Sequence, residues 1–449
     1  MACARRHNGV AALTATLALS GCLGSVSPEA ATRFGQSPLA ESPAAASTPA
    51  DLSTDAQTPE PQSTEYRSPL ISDLVARRSV LVPGSSYAEV AASVMAADAR
   101  VAEAELRAAE LRRKAADKNW LPTIGPRITL TGLGDVVSDL VLNQVLFDHG
   151  RKEAERERAR GEVELAAVDL VEDGNDRVHD ALTLYLDREE GREASAHFDR
   201  ALGDMSRFEH VMLRRVEGGV SDPSDLNILR QKLADIRANR DRAKERALSA
   251  EAELAAMSAR PLSDLHGIGS VAPSSPVDPL AVRRAEAERD IAVAQVRIDR
   301  AAHLPGLSAS AAFDGRETQS ALGVEAETGF GFGTPASLEA LEARKEAAVK
   351  RVAEAREDAN RRLASLERDR SALKRQGEEA EGLTRAAKAN LDQFQKQYDY
   401  GQRRVMDVVG VYETYASALE SAIDLKYRLA RTDIAIAHMR GQLVDGGAL

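Results

Sequence analysis

Apolar positions along this chain follow two rhythms. After Pro223, Leu229, Ile236, Ala243, Ala250 and Met257 recur every seven residues, with Leu226, Leu233, Ala247 and Leu254 on a companion rail broken only by Arg240. Further on, Val352, Ala359, Leu366, Leu373, Ala380, Ala387 and Phe394 keep that spacing for six heptads. A seven-residue apolar seam belongs to helices packed against partners along their length. The pattern predicts a helix from about 86 to 119, ending before Leu121-Pro122 because proline disfavours helical backbone in the residue before it. It predicts a second from about 150 to 215, broken at Gly218-Gly219, and a third from Asp222-Pro223 to about 258, with folding starting near Ser86. Asp222 suits an N-cap and Pro223 a first helical position, so the break reads as a sharp helical hairpin; Gly401 marks a second such turn. A helix of about 65 residues is about 100 Å long, which exceeds the width of a small domain.

The second rhythm has period two. Ile128 and Leu130 alternate with Arg127, Thr129 and Thr131, and Leu307, Ala309, Ala311 and Phe313 alternate with Ser308, Ser310 and Ala312. A further stretch sets Val324, Ala326, Thr328, Phe330 and Phe332 against Gly323, Glu325, Glu327, Gly329 and Gly331. Leu140 to Phe147 is a fourth candidate strand with poor alternation. Such strands suit either a sheet with one face toward lipid or a buried sheet in a soluble fold. On the membrane alternative, four strands are too few to close a barrel, and an open edge in lipid leaves backbone groups unpaired. The barrel would then be shared between subunits.

These elements occur twice. Leu121-Pro122 returns 183 residues later as Leu304-Pro305, and Gly219…Asp225-Leu226 returns 182 residues later as Gly401…Asp407-Val408. The chain therefore divides into residues 86–265 and 278–443, each a helix, two strands and a helical hairpin.

Composition narrows the function classes. Aromatic residues make up 4% of the chain and charged residues 29%, which favours long helices packed along narrow seams over a large globular core. The net charge of −11 argues against nucleic acid as a partner. Residues 1–21 have a positive start at Arg5 and Arg6 and an apolar run from Val10 to Leu19, the form of a secretory signal. Residues 22–66, rich in Ser, Pro, Ala and Thr, read as a tether. No later apolar run is long enough for a transmembrane helix. The eight histidines show no metal-ligand spacing, no glycine loop is placed to cradle phosphate, and the Glu/Arg runs read as solvated helix faces. No catalytic residue and no metal or cofactor is expected.

Leu19-Ser20-Gly21-Cys22 resembles a bacterial lipobox, which implies a lipid on Cys22; the alternative is an ordinary signal peptide with a cysteine near its cleavage site. Behind it, the twice-repeated helix, strand pair and coiled-coil hairpin resembles the TolC-like outer-membrane efflux factors over about residues 86 to 443. Leu121-Pro122 looks like the Leu-Pro that opens the strands in that family, and Leu146-Phe147-Asp148-His149-Gly150 looks like its Leu-Phe-Asp-Gly-Gly. The resemblance implies a mainly α protein whose duplicated hairpins form a periplasmic tunnel. It also implies a homotrimer with a twelve-stranded outer-membrane barrel, working with a periplasmic adaptor and an inner-membrane transporter as the exit duct of an efflux or type I secretion system. Ser224-Asp225 and Tyr398, Gly401, Arg403 and Asp407 match the family's hairpin tips, which hold the tunnel shut. The chemistry fits a breakable latch, since a Tyr hydroxyl and an Arg fork can both bind carboxylate near water. The same residues also fit plain helix-end and turn packing. Gly410 stands where the family often has a second Asp, and the second unit lacks the Leu-Phe-Asp-Gly-Gly run. The competing class is a lipid-anchored periplasmic coiled-coil scaffold or an adaptor.

Overall fold

The computed structural model describes residues 68–131, 135–273, 276–314, 317–329 and 331–448. The signal, Cys22, the tether and Phe330 lie outside the described residues. The elements are α1 (Pro69–Ala76), α2 (Ser86–Ala96), α3 (Val101–Ala116), β1 (Thr123–Thr131), β2 (Asp135–Phe147), α4 (Arg151–Glu217) and α5 (Pro223–Met257). They continue with α6 (Leu280–Ala302), β3 (Gly306–Phe313), β4 (Thr318–Glu325), α7 (Thr334–Asp399), α8 (Val405–Met439) and a 3-10 turn (Gly446–Ala448). The order α3-β1-β2-α4-α5 repeats as α6-β3-β4-α7-α8, and α5 and α8, each 35 residues long, begin 182 residues apart.

The heptad seams are occupied. Leu229, Leu233 and Leu254 of α5 are completely or almost completely buried, as are Val352, Ala359, Leu373 and Ala380 of α7 to within a tenth of their surface. A fully buried leucine contributes about 1.5–3 kcal/mol relative to an exposed one. The central helix α4 packs on α3, α5, α6 and α8, while α7 packs on α6 and α8. The wall thus reads α3-α4-α6-α7 beside the sheet and α5-α4-α8-α7 beyond it. The sheet runs β1-β2-β3-β4 in the same sense, all neighbours antiparallel.

The structure departs from the periodicity in four places. Order begins before Ser86: Ser68 caps α1 with its hydroxyl, Pro69 opens it, and Leu74 is fully buried against α4 and α6. The helix expected over 86–119 is two helices, because the Asp98 carboxylate accepts the Arg100 N–H (3.2 Å) in a local turn and Arg100 takes φ 51°. That bend sends α2 into the core through Tyr87, Val90 and Val94 while α3 follows α4. The second strand begins at Asp135, before Leu140, so it has 13 residues. The fourth strand is Thr318–Glu325, upstream of most of the alternation read at 323–332. Its partner β3 starts at Gly306, opposite Glu325, and Thr328 N–H then turns to the Ala302 carbonyl (3.0 Å), so nothing remains to pair with the rest.

Buried cations clasp the middle of the wall. Arg188, 1% exposed, donates to the Leu262 (2.8 Å) and Leu265 (2.6 Å) carbonyls and pairs with Glu189. Arg77 donates to the carbonyls of Arg440 (2.7 Å) and Asp278 (2.9 Å). Both guanidiniums thus staple the segments flanking the long helices to their cores, satisfying carbonyls that no helix partner reaches.

Candidate functional site: an amphipathic open sheet and two hairpin turns

Residues directly opposite in an antiparallel pair share a face. The register sets Ile124 against Leu142, Leu140 against Phe313, Leu142 against Ala311, Ala309 against Leu322 and Leu307 against Val324. With Ile128, these make one face apolar, with Ser138, Gln144, Thr318 and Ser320 as its polar members. The other face carries Thr123, Arg127, Thr129, Asp139, Asn143, Ser308, Ser310, Gln319 and Glu325, with Val141, Val145, Ala312 and Ala321 among its apolar members. Among the described residues nothing covers the apolar face: Ile124, Ile128, Leu322 and Val324 are 65–74% exposed. Strands of nine, thirteen, eight and eight residues compare with the roughly 9 to 11 that cross a bilayer. Among the described residues β1 and β4 are each paired on one side only, so both sheet edges are open.

A strained turn joins this sheet to the helices. His149 (φ 53°) and Gly150 (φ 82°) are both left-handed, and the Asp148 carboxylate accepts the N–H groups of Gly150 (3.1 Å) and Lys152 (2.7 Å) at the start of α4. His149 Nε2 lies 3.1 Å from the Pro305 carbonyl, so the end of the first strand pair touches the Leu-Pro of the second unit. Arg151 bridges to Glu327 across the same junction.

At the opposite end, both hairpin turns are built alike. Gly219 (φ 71°) and Gly401 (φ 76°) end α4 and α7, and Val220 and Gln402 N–H groups reach back to Arg215 and Gln397 carbonyls, each at 2.8 Å. Gly218 has an ordinary backbone and is not required to be glycine by φ. Asp222 caps α5 by accepting the Ser224 N–H (2.7 Å), and that bond holds its carboxyl below the usual range. Asp225 lies half-buried in the first turn of α5.

In the second turn, Asp407 accepts the Arg404 N–H (3.2 Å). Arg403 donates to Gln397 Oε1 (2.9 Å) with its guanidinium 4.5 Å over the Phe394 ring, and Tyr398 meets Phe208 edge-on at 6.3 Å. Tyr398, Arg403 and Asp407 therefore gather at one turn and Ser224 and Asp225 at the other. No hydrogen bond or ion pair among the described residues joins the two sets within a chain. The turns are held together instead by an apolar cluster of Phe208, Met212, Leu226, Leu229, Leu391, Val405 and Val408, and by an ion pair from Lys232 to Glu413.

Sequence reasoning missed Lys232–Glu413, since no local pattern links residues so far apart. It also missed a groove of about 530 Å³ lined by His197, Asp204, Tyr398, Tyr412 and Tyr415. Burial, then Asp204, raises the Tyr412 pKa above its ordinary value; burial, then Arg200, lowers that of His197, keeping the ring neutral near pH 7. Among the described residues, no group of three or more His, Cys, Asp or Glu could hold a metal ion, and no helix is long and apolar enough to cross a membrane.

No family model and no curated protein matches this sequence. Solved structures match its shape. A membrane protein from Pseudomonas aeruginosa superposes with a TM-score of 0.72 at 16% identity, over 82% of this chain and 93% of that one. The outer-membrane channel OprN gives 0.68 at 18% identity, over 82% and 93%. The outer membrane protein VceC from Vibrio cholerae gives 0.64 at 17% identity, over 83% and 95%. The chain shares the TolC-like fold of these structures: long helices with a few strands per chain.

Proposed function

We propose that three copies of this chain close into a channel in the outer membrane that serves as the passive exit duct of a tripartite efflux or type I secretion system. The observation that carries this reading is the four-stranded sheet, apolar on one face, polar on the other and open at both edges. A lipid-facing sheet must have no free edge. Pairing β4 of one copy with β1 of the next closes it, and three times four strands gives about twelve, within the range of natural barrels. Because the helices run in the same sense as the strands, the same operation closes them into a tube below the barrel. A periplasmic scaffold or adaptor has no use for such a sheet.

On this reading Cys22 carries a lipid that holds the protein to the outer membrane, and an adaptor and an inner-membrane transporter supply energy and most of the substrate choice. The hairpin turns form the periplasmic gate. No bond within a chain joins the two sets, and on this reading Ser224-Asp225 and Tyr398, Arg403 and Asp407 act as a latch between neighbouring hairpins, through bonds exposed enough to break.

The test is conductance in planar bilayers. Purified protein should conduct, and Asp225→Ala, Tyr398→Phe or Arg403→Ala should raise the conductance. Trimers that stay silent even with altered turns rule out the duct. Removing the lipid by Cys22→Ala behind a cleavable signal should leave the protein extractable only with detergent; release into the soluble fraction would favour the scaffold.

A further inference from the structure

We propose that the free faces of α3 and α7 are the two halves of one seam, α3 of each copy docking antiparallel on α7 of the next copy through an alanine ridge flanked by matched charges. This rests on the closed-ring reading above and names the residues that would set its register.

Both helices lie at the open edges of the wall, α3 leading into β1 and α7 following β4. α3 turns Ala102 and Ala109 toward α4, leaving Ala104, Ala108, Leu111 and Ala115 on its far side; Leu111 is 57% exposed. α7 buries Leu341, Ala348 and Val352, leaving Ala336, Ala340, Ala343 and Ala347 exposed on its far side. The two ridges have identical spacing, steps of four, three and four. Since α3 ends at the sheet and α7 begins there, neighbouring copies would run these helices antiparallel. Ala115 then comes level with Ala336, Leu111 with Ala340, Ala108 with Ala343 and Ala104 with Ala347. Alanine at seven of these eight positions, Leu111 being the exception, lets the helices approach closely.

The flanks test this register independently. In an antiparallel coiled pair, the residue before each first inward position of a heptad lies along one shared edge of the seam, and residues there set partner choice by charge. On α3 these are Arg107 and Lys114; on α7 they are Glu339 and Glu346. The ridge register brings Lys114 to Glu339 and Arg107 to Glu346. On the other edge it brings Glu105 to Arg344. All three pairs have opposite charge. Inside the chain, Glu105, Arg107, Lys114, Glu339 and Arg344 form no ion pair among the described residues, and Glu346 pairs only with Lys350. Sliding α7 by one heptad would set Arg107 opposite Ala353 and push Lys350 and Glu354 into the ridge. The partner this face fits is therefore a second copy of the chain at one register.

The test uses the full chain with paired cysteines and a short bifunctional thiol reagent. Lys114→Cys with Glu339→Cys, and Arg107→Cys with Glu346→Cys, should each yield a covalent trimer on denaturing gels, because every subunit carries both halves of the seam. The mismatched pair Arg107→Cys with Glu339→Cys, offset by seven residues or about 10 Å along the axis, should not. Charge reversal at Arg107 and Lys114 to Glu should lose the trimer, and adding Glu339→Lys and Glu346→Lys should restore it. If the unaltered protein is trimeric but only the mismatched pair cross-links, or no pair does, the seam is wrong and the ring stands. If the unaltered protein extracts as a monomer, the ring and the seam fall together.

Discussion

Replacing Gly191 with alanine sets two energies against each other. Gly191 lies inside α4, where alanine is favoured over glycine by about 1 kcal/mol. A Cβ added there would meet the Ala243 carbonyl oxygen at 2.7 Å and the Ala247 nitrogen and Cβ at 3.0 Å. Two of those three atoms are backbone, so no rotamer change relieves the contact and α5 must move away. Overpacking of this kind costs about 1–3 kcal/mol. Gly203 lies in the same helix with nothing within 4 Å of its added Cβ, so Gly203→Ala carries the helix gain alone. The expected outcome is that Gly203→Ala stabilises by up to about 1 kcal/mol and Gly191→Ala lies about 1–3 kcal/mol below it. Denaturant unfolding in detergent, followed by far-ultraviolet circular dichroism, measures the difference. Amide exchange from Ala243 to Ala250 should rise in Gly191→Ala alone. Equal stabilisation by both substitutions would refute the argument, because α4 and α5 would then not be held by this close approach.

Three further outcomes follow from the geometry. On the barrel reading proposed above, Ile128→Arg, on the apolar face, should cost about 2–4 kcal/mol per chain and block outer-membrane assembly, while Thr129→Arg on the polar face should be tolerated; equal tolerance in membrane fractionation would remove the sheet from lipid. The Asp222 carboxyl is held below its unfolded value of about 3.9. Its capping contribution is therefore complete above that value and lost as pH falls through the lower folded one. Ser224 amide exchange should accelerate below about pH 4 in the native chain but not in Asp222→Asn, and parallel profiles would contradict this. His149→Gly removes a left-handed non-glycine residue, worth about 1–2 kcal/mol, and loses two exposed contacts, to the Pro305 carbonyl and to the Phe147 ring; the thermal midpoint should rise, and a fall would show that the contacts dominate.

What the sequence made legible is what neighbouring residues decide. Asp222, Pro223 and Gly219 act within one turn, and each takes its predicted place. The seams of α5 and α7 are legible for the same reason, since their period is a property of one helix. The misread features depend on partners distant in the chain. β4 stops at Glu325 because β3 starts at Gly306. β2 alternates poorly because Val141 sits on the polar face and a register shift between Val145 and Phe147 moves the end of the strand; only its pairing with Ile124 and Phe313 shows which side is apolar. The turn residues were recognised by type, yet Asp407 serves its own helix and the tie between the hairpins, Lys232 to Glu413, was silent. The same logic explains why hydrophobic period finds the wrong face of α7 for assembly. Val352, Ala359 and Leu373 mark the side already filled by this chain. On the seam proposed above, the side left for another copy consists of alanines and charges, a pattern that reads as solvated helix unless the open strand edge beside it is taken into account.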